Sequence, residues 1–447
     1  MINQVVPPEH KDRSWVEVNL SAFRDNLSFL KSRMEPSQSF LMIVKADAYG
    51  HGAAEISRVA IECGAIYLGV ANPEEGKLLR IQNCLAPILV LSPSLESEIA
   101  TIIANKLCPS VSTYEFANSL NKAAVLAQTI VPIHIKVDTG MHRSGAEQSE
   151  FNELFHKVAQ LKHLYIEGIF SHFAAAESDN DFCHLQEQRF EALLNQLPIK
   201  PKYIHIANSN AVLNKNGNAC NLVRLGILAY GVNTSAHELP LQAVMTFKAT
   251  LSQVKKIKQG ETVGYNRTWI ADRDGKYGII PIGYADGYDF LLGNQAQVLL
   301  KGHLCKVIGR VSMDMITIEL SDVPHAEVGD IAILMGADEP AVRAESIASL
   351  YVGNPYELLC QVGRRAKRYY YEHDKLLHSA PLSRRDFVPD DFNDTKLNQI
   401  IESAIAQRLQ SEEIGELIYK EILKSFFYNK DKDIHYRHNF HHEISFS

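Results

Sequence analysis

Lys45 stands in the string Ile43-Val44-Lys45-Ala46-Asp47-Ala48-Tyr49-Gly50-His51-Gly52. The apolar run at 41–44 predicts a buried strand. It stops at a lysine, and two glycines follow. A lysine there is costly unless it is paired or chemically used. Buried lysines lose basicity readily, which suits Schiff-base chemistry with a carbonyl compound. The plain alternative is a lysine whose stem lines a barrel rim while its amine reaches water. Some polar residues beside apolar runs, such as Ser209 next to Asn208, Arg224 before Gly226, and Tyr265, carry plain structural readings by themselves. Taken singly, Asn208 and Ser209 also fit a helix cap. Arg224 also fits a rim arginine paired with a carboxylate, and Tyr265 a strand tyrosine.

The elements that must position these residues fall into two patterns. Apolar runs of strand length occur at 41–44, 66–71, 87–91, 108–111, 133–137, 165–169, 203–206 and 222–225. Helical periodicity separates most of them, as at 53–63, 73–81, 147–161 and 185–197. Strands alternating with helices imply parallel β/α units, and eight units predict a (β/α)8 barrel. Active-site residues in that fold lie at the C-terminal ends of strands. Lys45, Asp138, His172, Ser209 and Arg224 all follow or end such runs. From about residue 242, strand-like runs dominate: 244–257, 277–282, 297–300, 305–308, 316–320 and 330–334. They predict a mainly antiparallel β domain. The expected class is therefore α/β: a barrel over 1–241, a β domain over 242–371, and a helical, partly disordered extension over 372–447. An early strand at 15–20 is expected to pair with the β domain. Residues 394–428 have the apolar spacing of two short amphipathic helices. The histidine-rich end at 435–442 lacks a cysteine or acidic ligand to complete a metal site, so a solvated terminus is expected.

The chain carries 45 Lys and Arg against 52 Asp and Glu, a net charge of −7, which gives nucleic-acid binding little support. No apolar stretch reaches the length of a membrane span. The first fifteen residues contain no apolar core of a secretory signal. Seven dispersed cysteines without a C-x-x-C pair fit reduced thiols in the cytoplasm.

The string around Lys45 closely resembles the pyridoxal-phosphate lysine motif of the alanine racemases. The resemblance extends from about Trp15 to Tyr371 and assigns expected roles. Lys45 bonds the cofactor and is one base. Tyr49, Asn208, Ser209, Tyr356 and the backbone at Gly226 and Ile227 hold the phosphate. Such barrels often bind phosphate after strands seven and eight, on backbone N–H groups and helix N-termini. Arg224 faces the pyridine nitrogen. Arginine cannot give up its proton, so it keeps that nitrogen unprotonated and the ring a weaker electron sink, which suppresses transamination. Tyr265 is the base on the opposite face, and His172 links it to Arg224. A tyrosine has a reference pKa of about 10, so it needs such electrostatic help.

The resemblance also places Arg143 on the substrate carboxylate, where its planar fork fits. The Met313 backbone contacts the same carboxylate, Tyr284 stands at the pocket entrance, and Lys136 is a carbamylation candidate. Tyr265 comes from the other subunit of a homodimer. The implied activity is interconversion of L-alanine and D-alanine, supplying D-alanine for bacterial peptidoglycan. No metal is expected. Two positions depart from the family pattern. Ser312 stands where many relatives have cysteine, and the segment 363–368 lacks the usual proline. Other readings stay open here: a racemase of serine or a wider set, a pyridoxal-phosphate decarboxylase with the same two-part plan, or a non-catalytic cofactor-binding barrel. The last lacks a β domain.

Overall fold

Strand β1 (Ser14–Asn19) precedes the barrel. The barrel strands are β2 (Ser39–Ile43), β3 (Tyr67–Val70), β4 (Ile88–Val90), β5 (Cys108–Val111), β6 (Val131–Lys136), β7 (Leu164–Phe170), β8 (Tyr203–His205) and β9 (Leu222–Leu225). A computed structural model describes residues 12–380, apart from 218, 219, 236, 337, 338 and 364. The helices expected at 394–428 and the histidine-rich end lie outside the described residues. Strands β2 to β9 form one parallel sheet in the order β8-β7-β6-β5-β4-β3-β2-β9. Between β8 and β9 the ladder thins to a single bridge, Asn208 to Arg224. Two backbone bonds close the gap: Asn221 N–H to Ile204 O (3.2 Å) and Arg224 N–H to Ala207 O (3.0 Å). The arrangement is a near-closed barrel of eight strands.

Local sequence explains the helices that cover it. Pro73–Ile81 starts with Asn72, whose side chain accepts the Glu75 N–H, and has Pro73 at its first turn with Glu74 and Glu75. These are favoured first-turn residues. Its inner face buries Leu79 and Gly76. A Cβ on Gly76 would lie 2.8 Å from a Leu107 side-chain methyl, so a larger residue there requires Leu107 to shift.

The second region contains β10 (Met245–Thr250), β11 (Gln253–Ile257), β12 (Thr262–Val263), β13 (Trp269–Ile270), β14 (Gly275–Ile280), β15 (Gln297–Leu300), β16 (His303–Lys306), β17 (Ile316–Glu319), β18 (Ile331–Met335), β19 (Lys367–Glu372) and β20 (Lys375–Ala380). A seven-stranded sheet runs β16-β15-β18-β10-β1-β19-β20, and a three-stranded one β11-β14-β17. As expected from the sequence, β1 joins this region, antiparallel to β10 and parallel to β19. Two details differ from the sequence reading. The run at 244–257 is two strands in two sheets: Leu251 N–H bonds Asp330 O, while Ser252 N–H bonds Ile279 O. The β19–β20 hairpin also carries the sheet past residue 371, through His373 and Asp374, both with positive φ.

Candidate active site

Lys45, separated from the end of β2 by Val44 alone, opens a turn whose next four residues, Ala46, Asp47, Ala48 and Tyr49, all have φ between 52° and 54°. Left-handed backbone costs about 1–2 kcal/mol per non-glycine residue, and such strain persists only where surroundings over-determine it. They do so here. Glu75 accepts N–H groups of Ala46 (2.9 Å) and Ala71 (2.8 Å), tying the turns after β2 and β3 together. Asp47 Oδ1 accepts from Ala53 N–H at 2.7 Å. The buried His51 ring donates from Nδ1 to the carbonyls of Ala48 and Tyr49, each at 3.0 Å. Gly50 and Gly52 let the β region close on the turn: a Cβ would meet Leu359 O at 2.6 Å and the Tyr370 hydroxyl at 1.8 Å. The Lys45 amine is less basic than an ordinary lysine, chiefly through burial and then through Arg143, with Glu75 opposing. A neutral amine is the form able to attack a carbonyl.

Next to Lys45 lies a cup for an anion. Tyr49 packs edge-on against Tyr230 (4.9 Å) and Tyr356 (5.9 Å), so a residue of the β region completes the barrel rim. Burial raises both the Tyr49 and Tyr356 hydroxyls, leaving them protonated donors at neutral pH. Gly226 N–H donates to Ser209 Oγ at 2.6 Å, and Ile227 begins a 3-10 turn. A Cβ on Gly226 would project between the Tyr49 hydroxyl (3.5 Å) and Ser209 Oγ (3.7 Å). A side chain at 226 would thus fill a cradle lined by hydroxyl and N–H donors, which fits a phosphate. Asn208 uses its side chain to cap Ser209–Leu213 through the Ala211 N–H at 3.0 Å. Glu177, unnoticed in the sequence, accepts from Asn210 Nδ2 (2.8 Å) and more loosely from the Tyr356 hydroxyl (3.5 Å).

Arg224 lies buried at the end of β9. Its Nη1 is 2.7 Å from His205 Nδ1, and its Nη2 is 2.8 Å from His172 Nδ1 and from the carbonyls of Ser171 and Ile206. Burial pulls its pKa down to about 10, so it is still a cation at neutral pH. Burial and the Arg224 charge hold His172 and His205 far below the usual histidine range. Arg224 and His172 are thus joined by a hydrogen bond, and both histidines are held neutral. Gln186 braces the loop by donating to His172 O (3.0 Å) and accepting from Ala174 N–H (2.9 Å).

Asp138, which had no clear role in the sequence, organises the loop that carries Arg143. Its Oδ1 accepts N–H groups of Gly140, Met141 and His142 at 2.8, 3.0 and 3.2 Å. The buried Lys136 amine donates to Ser144 Oγ at 2.5 Å. Burial, then Arg143 and Arg224, push its pKa down to about 8. Below that pH the amine is an inert ammonium; above it the neutral amine can bond carbon dioxide and release a proton to solvent. The carbamate would replace a crowded cation with an anion. Protein equilibrated with 13C-labelled carbon dioxide is expected to show a carbamate resonance that grows as pH rises through this range, and Lys136→Ala to lack it. No such resonance well above pH 8 would mean an unmodified lysine.

Tyr265, Tyr284 and Met313 stand on turns of the β region. Gly264, at φ +77°, places the Tyr265 turn against Arg310, to whose N a Cβ would come within 3.1 Å. Tyr284 N–H and Ala285 N–H bond the carbonyls of Ser312 and Met313, each at 3.1 Å. Ser312 closes its own turn by donating from Oγ to Met315 O at 2.6 Å. Tyr265 is 72% exposed, Met313 51% and Tyr284 45%. Among the described residues no hydrogen bond or ring contact links these three to Lys45 or Arg224.

Residues 18–234 match the alanine racemase N-terminal domain, and residues 244–370 match the alanine racemase C-terminal domain. The alanine racemase of Desulfovibrio desulfuricans is 38% identical over 365 residues, 80% of this chain and 98% of the relative. The structure of the Clostridium difficile alanine racemase superposes with a TM-score of 0.80 at 30% identity, covering 84% of this chain and all of that one. The Bartonella henselae alanine racemase, solved with covalently bound pyridoxal phosphate, gives 0.74 at 27% identity over 80% of this chain and 99% of that one. The chain belongs to the alanine racemase family, whose members are pyridoxal-phosphate-dependent isomerases. No described helix is long and apolar enough to cross a membrane.

Proposed function

We propose that the protein interconverts L-alanine and D-alanine by a two-base route on pyridoxal phosphate held at Lys45, as a homodimer in the cytoplasm. The D-alanine would serve bacterial peptidoglycan. The carrying observation is the meeting of Lys45, the His172–Arg224 pair and the donor-lined gap at Gly226 on one barrel rim. Bound pyridoxal phosphate supplies the electron sink that makes an amino acid's α-proton removable. The chain supplies the rest. Lys45 moves a proton on one face of the substrate and the Tyr265 hydroxyl on the other. Arg224 donates to His172 Nδ1, so His172 holds its own proton on Nε2, where it stabilises a tyrosinate. Arg143 and the Met313 N–H hold the carboxylate. Tyr265, Tyr284 and Tyr356 leave room for a methyl side chain.

The exposure of Tyr265, Tyr284 and Met313 supports a second subunit bringing them to the barrel rim. Mixing Lys45→Ala with Tyr265→Phe tests this. If Tyr265 acts on the neighbouring subunit, each mixed dimer has one intact site, and statistical reassortment returns about a quarter of native activity. If each subunit uses its own tyrosine, no site is intact and mixing restores nothing.

A further inference from the structure

The polar chain that begins at Arg224 does not end at His205. His205 Nε2 lies 2.8 Å from His134 Nδ1 on β6, and both rings are fully buried within the barrel. His205 also stacks on Phe170, with centroids 4.8 Å apart and planes 2° from parallel. The far nitrogen of His134, Nε2, is buried without a hydrogen-bond partner among the described residues. His134, Cys108 and Glu167 place one ligand-type atom each within 4.8 Å of one another. Glu167 is held in turn by the Tyr67 hydroxyl, at 2.5 Å.

Arginine only donates, so the direction of every proton along this chain is fixed. Arg224 donates to His205 Nδ1, which must present a lone pair. The neutral His205 therefore carries its proton on Nε2 and donates it to His134 Nδ1. His134 then carries its own proton on Nε2. The same logic at His172 also places the proton on Nε2. Burial and the nearby Arg224 cation favour the neutral form of all three rings.

We propose that His134 is a positioning residue for Arg224: its Nδ1 lone pair terminates the chain Arg224 to His205 to His134 and thereby fixes the guanidinium beside the cofactor site. Without that acceptor, the His205 Nε2–H loses its partner, and the alternative tautomer would set an N–H against Arg224 Nη1. A displaced Arg224 no longer holds His172 or faces the pyridine nitrogen. The chain also bears on the Cys108–His134–Glu167 cluster. Its histidine offers an N–H there instead of a lone pair, so the cluster is closed to a cation while Arg224 is in place.

The functional consequence rests on the proposed racemisation; the tautomers rest on geometry alone. Two measurements separate them. In 15N-histidine-labelled holoenzyme, His134, His172 and His205 are expected to be neutral Nε2–H tautomers, assigned through single substitutions. A proton on Nδ1 of His205 or His134 overturns the proposal, whether or not the enzyme racemises alanine. In the second, His134→Phe keeps a ring but no acceptor, while His134→Gln keeps an acceptor. His134→Phe is expected to lose about tenfold to a hundredfold in kcat, the scale of a mispositioned catalytic group. It should also form more pyruvate per racemisation, and His134→Gln should recover most of both. His134→Phe with native kcat and native pyruvate ratio overturns the proposal. If that variant does not fold, the tautomer spectrum of the native protein decides.

Discussion

Lys45→Ala is expected to emerge colourless after dialysis and to lose racemisation by about 10⁴-fold or more, the combined loss of a covalent anchor and a proton-transferring base. The fold should survive. The strained turn from Ala46 to Tyr49 is held by Glu75, Asp47 and His51, and none of these bonds uses the lysine side chain. Removing an amine whose charge is already disfavoured by burial and by Arg143 should not lower stability. Absorbance after dialysis, thermal unfolding and turnover are the three measurements. A variant that keeps the yellow colour and native turnover without added amine would place the chemistry elsewhere.

Tyr265→Phe is the second large effect, and it should be asymmetric. General acid–base groups contribute about 10²- to 10⁴-fold, and losing the tyrosine hydroxyl should cut abstraction from L-alanine by that order. With Tyr265 serving the L face, Lys45 serves the D face under the two-base proposal, and abstraction from D-alanine should keep its primary isotope effect. Tyr265 is largely exposed within its own subunit, so the substitution should cost that subunit's fold little stability. Exchange of α-deuterium from each enantiomer separates the two directions. Equal and small losses in both would remove Tyr265 as the second base.

Much of this architecture was legible in the sequence because barrel strands are buried on both faces. Such strands appear as short apolar runs between turn signals. Thus Cys108–Val111, Leu222–Leu225 and the helix Pro73–Ile81 have the bounds that patterning predicts. The break between Thr250 and Gln253 was hidden. No glycine or proline marks it, and only tertiary pairing moves the chain from one sheet to another. The β19–β20 hairpin was missed for a related reason: its turn, at His373 and Asp374, lacks the usual glycine.

At the site, residues within contiguous motifs were legible, and their supports were not. Glu75, Glu177 and Gln186 act through hydrogen bonds between segments apart in the chain, which no local spacing reveals. His134 and His205 sit among apolar neighbours and pass for ordinary core histidines. One signal was available. His134 and Lys136 are two apart on a buried strand, so they share a face, and two polar residues on one face of a barrel strand point to a polar interior.

The most direct test of the account is to incubate purified holoenzyme with L-alanine in deuterium oxide and analyse the product's chirality and mass. Two-base racemisation predicts D-alanine carrying one deuterium at Cα, approaching equal amounts of the two enantiomers, with little pyruvate. Ethylamine with carbon dioxide, or L-alanine returned unchanged while L-serine racemises, would contradict it.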